Sequence, residues 1–126
     1  MAKTLLMVAA ISGLLAVVIG AFGAHGLKGR ITTDLMAIFQ TGVQYHFYHT
    51  LALLLVGILM LQFPQISLLK WSGWLFIAGI VIFSGSLYAL AITDIKWLGA
   101  ITPIGGVAFI AGWLTMAIAI YNHIGE

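Results

Sequence analysis

Cysteine is absent from this chain of 126 residues, and charged residues make up only 6% of it. Without thiols there can be no disulfide, thiolate-bound metal, iron–sulfur cluster or cysteine nucleophile. Soluble domains carry about 25% charged residues, so this chain cannot build a water-facing surface. The three acidic residues form no carboxylate pair for acid–base chemistry. The sequence also shows no Ser/His/Asp arrangement of the kind used in nucleophilic catalysis. We therefore expect no enzyme and no bound cofactor.

Apolar residues dominate the composition. Hydrophobic residues form 63% of the sequence, and its mean hydropathy is +1.17. Runs of about 20 apolar residues span a bilayer as helices, so the composition indicates an integral membrane protein with the lipid bilayer as its surroundings. The net charge is +2, but the five basic residues are scattered singly and form no patch, which argues against nucleic-acid binding.

Four apolar runs predict four transmembrane helices, approximately at residues 4–22, 44–63, 72–92 and 103–121. Pro64 ends the second run, and Pro103 suits the first position of the last helix, where a missing N–H costs nothing. The first run is longer than the apolar part of a usual signal peptide, so a retained helix is the preferred interpretation. The predicted fold is all-α: an antiparallel bundle of four transmembrane helices forming one domain over residues 1–126.

A polar segment separates the first two runs. Glycines at 23, 26 and 29 predict a turn at the membrane surface. Thr32 or Thr33 can then cap a new helix, with Asp34 favoured in its first turn by the helix dipole. Residues 34–43 carry one apolar side, which predicts a short amphipathic helix lying at the interface between the first and second spans.

Small residues and loop charges suggest how the helices pack and insert. Ser12, Ala16, Gly20 and Ala24 recur at every fourth position, a stripe on which a neighbouring helix can pack closely. Four spans place both termini on the same side. The positive-inside rule places the side with more basic residues in the cytoplasm. Lys28, Arg30 and Lys96 fall on one side, whereas Lys3 and Lys70 fall on the side of the termini. This difference of one residue favours the outside for both termini.

Three segments resemble a known family: GAFGAHGL at 20–27, TGVQYHFYHTLALL at 41–54 and ITPIGGVAFIAGW at 101–113. In this order they are similar to the YgdD/YwdK-like small bacterial inner-membrane proteins, a domain of unknown function of the UPF0382 type. The family has more distant relatives among small mitochondrial transmembrane proteins. The resemblance implies a four-helix protein of the bacterial plasma membrane, and it implies no reaction.

Polar side chains cluster where the second span begins. Thr41, Gln44, Tyr45, Tyr48 and His49 follow the spacing of one helical face, with His46 on an adjoining face. Hydrogen-bonding side chains are costly in hydrocarbon, so we expect this face to point at other helices or at a water-filled vestibule. The candidate polar face comprises His25, Asp34, Gln44, Tyr45, His46, Tyr48 and His49.

Several interpretations of this face remain open. His46 and His49 could share a metal with His25 as third ligand, relay protons, or supply one haem ligand. Alternatively, these groups only tie the interfacial helix to the glycine turn, for example through a bond from Tyr45 or His49 to Asp34. No carboxylate other than Asp34 is near, so no metal site is predicted.

The sequence supports two hypotheses of function. The first is a non-enzymatic accessory, assembly or self-associating membrane protein, because small-residue faces are extensive and titratable groups within the spans are few. Its partners would be further copies of the chain or another membrane subunit. The second is a small transporter or channel with a polar path past Gln44, Tyr45, His46 and His49.

Overall fold

The computed structural model describes residues 1–125, and within them four long helices are apolar enough to cross a membrane. Short connections join consecutive helices, so neighbours in sequence run antiparallel. The bundle therefore confirms the predicted all-α fold and all four spans. The helices are α1 (Ala2–Leu27), α2 (Thr33–Gln62), α3 (Ser67–Thr93) and α4 (Thr102–His123).

Helix α2 begins earlier than the predicted second span and absorbs the segment expected to lie at the interface. The side chain of Thr32 accepts a hydrogen bond of 3.2 Å from the backbone N–H of Leu35, which is the expected cap, and Asp34 lies in the first turn. From there the helix continues unbroken for 30 residues. The separate interfacial helix is thus not confirmed. No proline interrupts the helical hydrogen bonds between residues 34 and 62, so nothing ends a helix at residue 43.

The other helix ends largely follow the sequence signals. Helix α2 stops just before Phe63 and Pro64, as predicted. Helix α3 ends at Asp94, whose positive φ of 54° is the left-handed conformation common after a helix. Pro103 lies in the first turn of α4, as predicted. The hydroxyl of Thr102, the residue before Pro103, lies 2.6 Å from the hydroxyl of Ser86 in α3.

Helix α1 packs mainly on α2, whereas α3 packs on both α2 and α4. The predicted stripe of small residues on α1 faces α2. Ser12 and Ala16 are buried, and a Cβ added at Gly20 would have no room beside Val43 of α2. Even so, only 17% of the most apolar stretch of α1 is buried within the chain. The core consists of apolar side chains from all four helices, among them Leu5, Leu53, Leu69, Phe76 and Phe109.

One helical turn in α3 is widened to π geometry, at Ile80–Ser84. At this turn the hydroxyl of Ser84 donates to the backbone carbonyl of Gly42 in α2 at 2.7 Å. On its other side, α4 approaches so closely that a Cβ at Gly105 would lie 2.7 Å from the Cα of Phe83. Helix α3 is therefore held between α2 and α4, close to the polar side chains of α2.

Candidate functional site in the membrane-embedded core

A chain of hydrogen bonds around His46 joins three helices in the middle of the bundle. The Nδ1 atom of His46 lies 2.8 Å from the hydroxyl of Tyr88 in α3, and its Nε2 lies 3.0 Å from Ser12 Oγ in α1. Ser12 Oγ is in turn 2.6 Å from Thr50 Oγ1, which donates to the backbone carbonyl of His46 at 2.8 Å. His46, Ser12 and Thr50 are each more than nine-tenths buried. From the ring of His46 the bonds thus pass through Ser12 and Thr50 and return to the backbone carbonyl of His46, with Tyr88 bonded to the other side of the ring.

The bond from Thr50 to the carbonyl of His46 determines which atom is the donor in the other hydrogen bonds of this chain. Because Thr50 gives its hydroxyl proton to the carbonyl, Ser12 must donate to Thr50. Ser12 Oγ can then only accept from His46, so the imidazole carries its proton on Nε2. Nδ1 is left as an acceptor for the phenol of Tyr88. As a neutral imidazole, His46 is therefore the Nε2–H tautomer, with both nitrogens satisfied.

His49 has the opposite tautomer and faces a different neighbour. The indole N–H of Trp113 in α4 donates to His49 Nε2 at 3.1 Å, so the imidazole proton lies on Nδ1 and is donated to the carbonyl of Tyr45 at 2.8 Å. The ring also stacks on Phe109, with centroids 3.5 Å apart and planes 11° from parallel. His49 joins α2 to α4 as His46 joins α2 to α1 and α3.

The remaining members of the predicted face in this part of α2 are exposed. Gln44 is exposed, as are Tyr45 and Tyr48, which are 38% and 55% accessible. The expectation that the face turns toward other helices is therefore correct for His46 and His49 and wrong for Gln44 and Tyr48. Tyr45 meets it in part, because its ring packs on Phe83 of α3 with centroids 4.7 Å apart. The bundle meets α2 on two sides, and the side carrying Gln44 and Tyr48 lies outside both contacts.

His25 and Asp34 lie apart from the two buried histidines. Both are exposed near the ends of α1 and α2, and Asp34 is 15 residues from His49 along one helix, or about 22 Å. The suggested bond from Tyr45 or His49 to Asp34 is not formed, and His25 does not join His46 and His49 around a common point. Within residues 1–125, no three His, Cys, Asp or Glu side chains group as metal ligands.

Four partners of the histidines were not among the predicted site residues: Ser12, Thr50, Tyr88 and Trp113. The spacing of small residues places Ser12 on a close-packing stripe of α1, and hydropathy places Trp113 within the last span. A usable signal was present, since polar side chains inside otherwise apolar spans usually hydrogen-bond across helices. What the sequence lacks is the pairing, because the bonds join residues 34 to 64 positions apart.

These geometries restrict what the site can do chemically. The His46 chain terminates on a backbone carbonyl, which has no proton to pass on. The proposed path past Gln44, Tyr45, His46 and His49 is divided among three places: the outer surface, the α1–α3 side and the α4 side. The two histidines serve as polar ties between helices, each holding one orientation.

The class of the protein follows from these observations: a small multi-pass membrane protein whose four helices are tied together by buried polar side chains. A family model described as "Protein of unknown function (DUF423)" matches residues 19–106. That span contains α2, α3 and all the residues of the His46 chain except Ser12. The chain belongs to this family.

Similar proteins from bacteria are related to this chain over almost their whole length. UPF0382 membrane protein YwdK of Bacillus subtilis is 49% identical over 97% of this chain and 99% of its own. UPF0382 membrane protein SAB0533 of Staphylococcus aureus is 46% identical over 98% and 99%. No solved structure matches. The resemblance noted from the three sequence segments is thus confirmed.

Proposed function

We propose that this protein is a non-enzymatic membrane protein that works by associating with a second copy of itself through the outer face of α2. The observation that carries the proposal is the outward position of Gln44 and Tyr48 within a transmembrane helix. Their side chains form no hydrogen bond within the described chain. Polar groups facing hydrocarbon without a partner cost several kcal/mol, roughly, in the absence of water. A helix from another molecule would supply the missing partners.

The depth of these residues supports a partner within the membrane. Gln44 lies 18 residues before the end of α2 at Gln62, which is about 27 Å of helix. Tyr48 lies one turn deeper, about 21 Å from the same end. The hydrocarbon core is about 30 Å thick, so both side chains lie within it when Gln62 is at its opposite boundary. Tyrosine also occurs at the lipid headgroups, but a buried glutamine amide is a common link between membrane helices.

A second copy of the chain fits the chemistry of this face. An amide and a phenol each donate and accept hydrogen bonds, so the face is complementary to itself across a two-fold axis. Beside it, between α2 and α4, lies a groove of about 440 Å³ lined by Tyr45, Phe83, Ile110 and Trp113 among others. An apolar side chain of the partner can fill that groove while the polar groups pair.

The absence of cysteine makes the test direct, because a single introduced cysteine is unique. In membranes of cells making Gln44→Cys, mild oxidation is expected to give a covalent dimer in high yield. Val18→Cys is the matched control: Val18 is 44% exposed on α1 and lies 16 residues from Ala2, at a similar distance from the same membrane surface. It should remain monomeric, since α1 is on a different side of the bundle.

A second measurement separates a real interface from chance collisions. Combining Gln44→Leu with Tyr48→Phe removes the polar groups while keeping the size of the side chains. Native mass spectrometry after gentle extraction should then show the dimer fraction of the wild-type chain lost in the double variant. Equal cross-linking at positions 44 and 18, or only bare monomer for the wild type, would contradict self-association. Cross-linking to a different polypeptide would replace it with an accessory role.

We infer the plasma membrane of a bacterium as the location, because the related proteins named above are bacterial membrane proteins. The even number of spans supports both termini on one side. The loop charges favour the outside for them, with Lys28, Arg30 and Lys96 on the cytoplasmic side. Labelling of cysteines introduced at position 2 or 125 with a membrane-impermeant reagent tests this orientation in intact cells.

A further inference from the structure

A cleft opens toward the lipid between α1 and α3, on the side of the bundle away from the groove described above. Its volume is about 410 Å³, and its walls are aliphatic: Val8, Ile11 and Leu15 from α1, and Ile77, Ile80 and Val81 from α3. For comparison, an apolar cavity of about 150 Å³ accommodates benzene. The cleft is large enough for a small molecule or a chain segment.

The floor of this cleft is polar, although the walls are not. Ser12, His46 and Tyr88, three consecutive members of the hydrogen-bond chain, line its inner side. A lipid acyl chain resting there would bring no hydrogen-bonding group to them. No charged side chain lines the cleft, so an ionic ligand has no counter-charge. The occupant suited to this cleft is therefore neutral, mainly apolar, and carries a polar group.

The directions of the hydrogen bonds determine what kind of polar group fits. Both nitrogens of His46 are already used, and the hydroxyl protons of Ser12 and Tyr88 are donated within the chain. What remains free is acceptor capacity, on Tyr88 Oη and on the second lone pair of Ser12 Oγ. A ligand acceptor such as a carbonyl would require the chain to reverse and Thr50 to give up its bond to the His46 carbonyl. A ligand hydroxyl requires no rearrangement.

We propose that the cleft between α1 and α3 binds a lipophilic hydroxyl compound, whose hydroxyl donates to Tyr88 Oη at the floor and whose apolar part lies along the two helices. A second cleft of about 510 Å³ shares Tyr88 and continues toward Leu27 at the end of α1. Together the two clefts follow the α1–α3 seam and suit an elongated molecule. An aliphatic alcohol and a phenolic hydroxyl, as in a long-chain hydroquinone, both present the required donor.

The test is photoaffinity labelling of the full chain in lipid nanodiscs. The probe is dodecyl alcohol with a diazirine in its chain, and the matched control probe is its methyl ether, which has the same length but no donor. Adducts should map to the peptides of α1 and α3 that line the cleft. The alcohol should label roughly 3- to 10-fold more than the ether, as expected for one neutral hydrogen bond.

Two variants place the labelling in the cleft and at its floor. Gly85 lines the cleft, and a Cβ added there meets nothing within 4 Å, so Gly85→Leu fills the space without a clash and should abolish labelling. Gly106→Leu is the control, because Gly106 faces the groove between α2 and α4, outside both clefts, and a Cβ there meets only ring carbons of Phe83 at 3.9 Å. Tyr88→Phe alone would leave His46 Nδ1 as a free acceptor, so it is combined with His46→Phe; this double variant should lower labelling by the alcohol toward the level of the ether.

Competition distinguishes the two sources of the hydroxyl. Unlabelled dodecyl alcohol and a decyl hydroquinone should both displace the probe, and the one effective at lower concentration identifies the closer chemical relative of the natural ligand. Equal labelling by alcohol and ether would overturn the proposal, since the cleft would then accept any hydrocarbon chain. Unchanged labelling of Gly85→Leu would also overturn it by placing the probe elsewhere.

Discussion

Replacement of Gly105 by alanine should destabilise the bundle, whereas the same replacement at the next residue, Gly106, should not. A Cβ at Gly105 would collide with the backbone of Phe83, 2.7 Å from its Cα, and backbone cannot rotate away. A Cβ at Gly106 would lie 3.9 Å from ring carbons of the same Phe83, which is ordinary contact. The two variants have the same composition and differ only in which side of α4 receives the methyl group.

The expected magnitudes follow from two opposing effects. Alanine is better than glycine inside a helix by about 0.5–1 kcal/mol. Overpacking a well-filled contact costs about 1–3 kcal/mol, because α3 and α4 must move apart. Gly105→Ala should therefore lose up to about 2.5 kcal/mol of the free energy of unfolding, while Gly106→Ala should gain about 0.5–1 kcal/mol, a difference of about 1–3 kcal/mol between the two variants.

Reversible unfolding in mixed micelles measures both variants, with tryptophan emission as the signal. Of the four tryptophans, Trp113 of α4 contacts Phe76 of α3, with ring centroids 5.1 Å apart, so with the other three replaced by Phe the emission reports separation of these two helices. Equal shifts for the two variants, or a more stable Gly105→Ala, would refute the close approach of α4 to the π turn in α3.

Two further predictions concern the hydrogen bonds of α2. Nitrogen NMR of the histidine-labelled protein should show the proton of His46 on Nε2 and that of His49 on Nδ1, and the same tautomer at both would contradict the assigned bond directions. Thr32→Ala should reduce the free energy of unfolding by about 0.5–2 kcal/mol through loss of the cap on Leu35, whereas Thr32→Ser should retain it; equal losses in the two variants would disprove the capping role.

The sequence is sufficient to predict the elements that depend on local chemistry. The four spans follow from hydropathy, and Thr32, Pro64 and Pro103 mark helix ends through hydrogen-bonding constraints that act within a few residues. The continuous α2 shows where such signals are incomplete. An amphipathic period indicates which side of a helix is polar, but it does not indicate whether the helix also continues into the membrane.

The candidate site depends on contacts that periodicity does not specify. The sequence placed His46 and His49 at the centre of interest, and both are buried. It could not separate them from Tyr45 and Tyr48, because the exposure of a helical face depends on where the other three helices pack. Ser12 and Tyr88, the partners of His46, lie 34 and 42 positions away in the sequence, so their roles are visible only in the assembled bundle.

The closed chain of hydrogen bonds also has a consequence for the order of assembly in the membrane. Ser12, His46 and Thr50 all belong to α1 and α2, which are synthesised before α3 and α4, so three of the four bonds can form in the hairpin of α1 and α2. Only the bond from Tyr88 must wait for α3, and the bond from Trp113 to His49 waits for α4. During biosynthesis, His46 can therefore hold α1 against its neighbour before the remainder of the bundle has entered the bilayer.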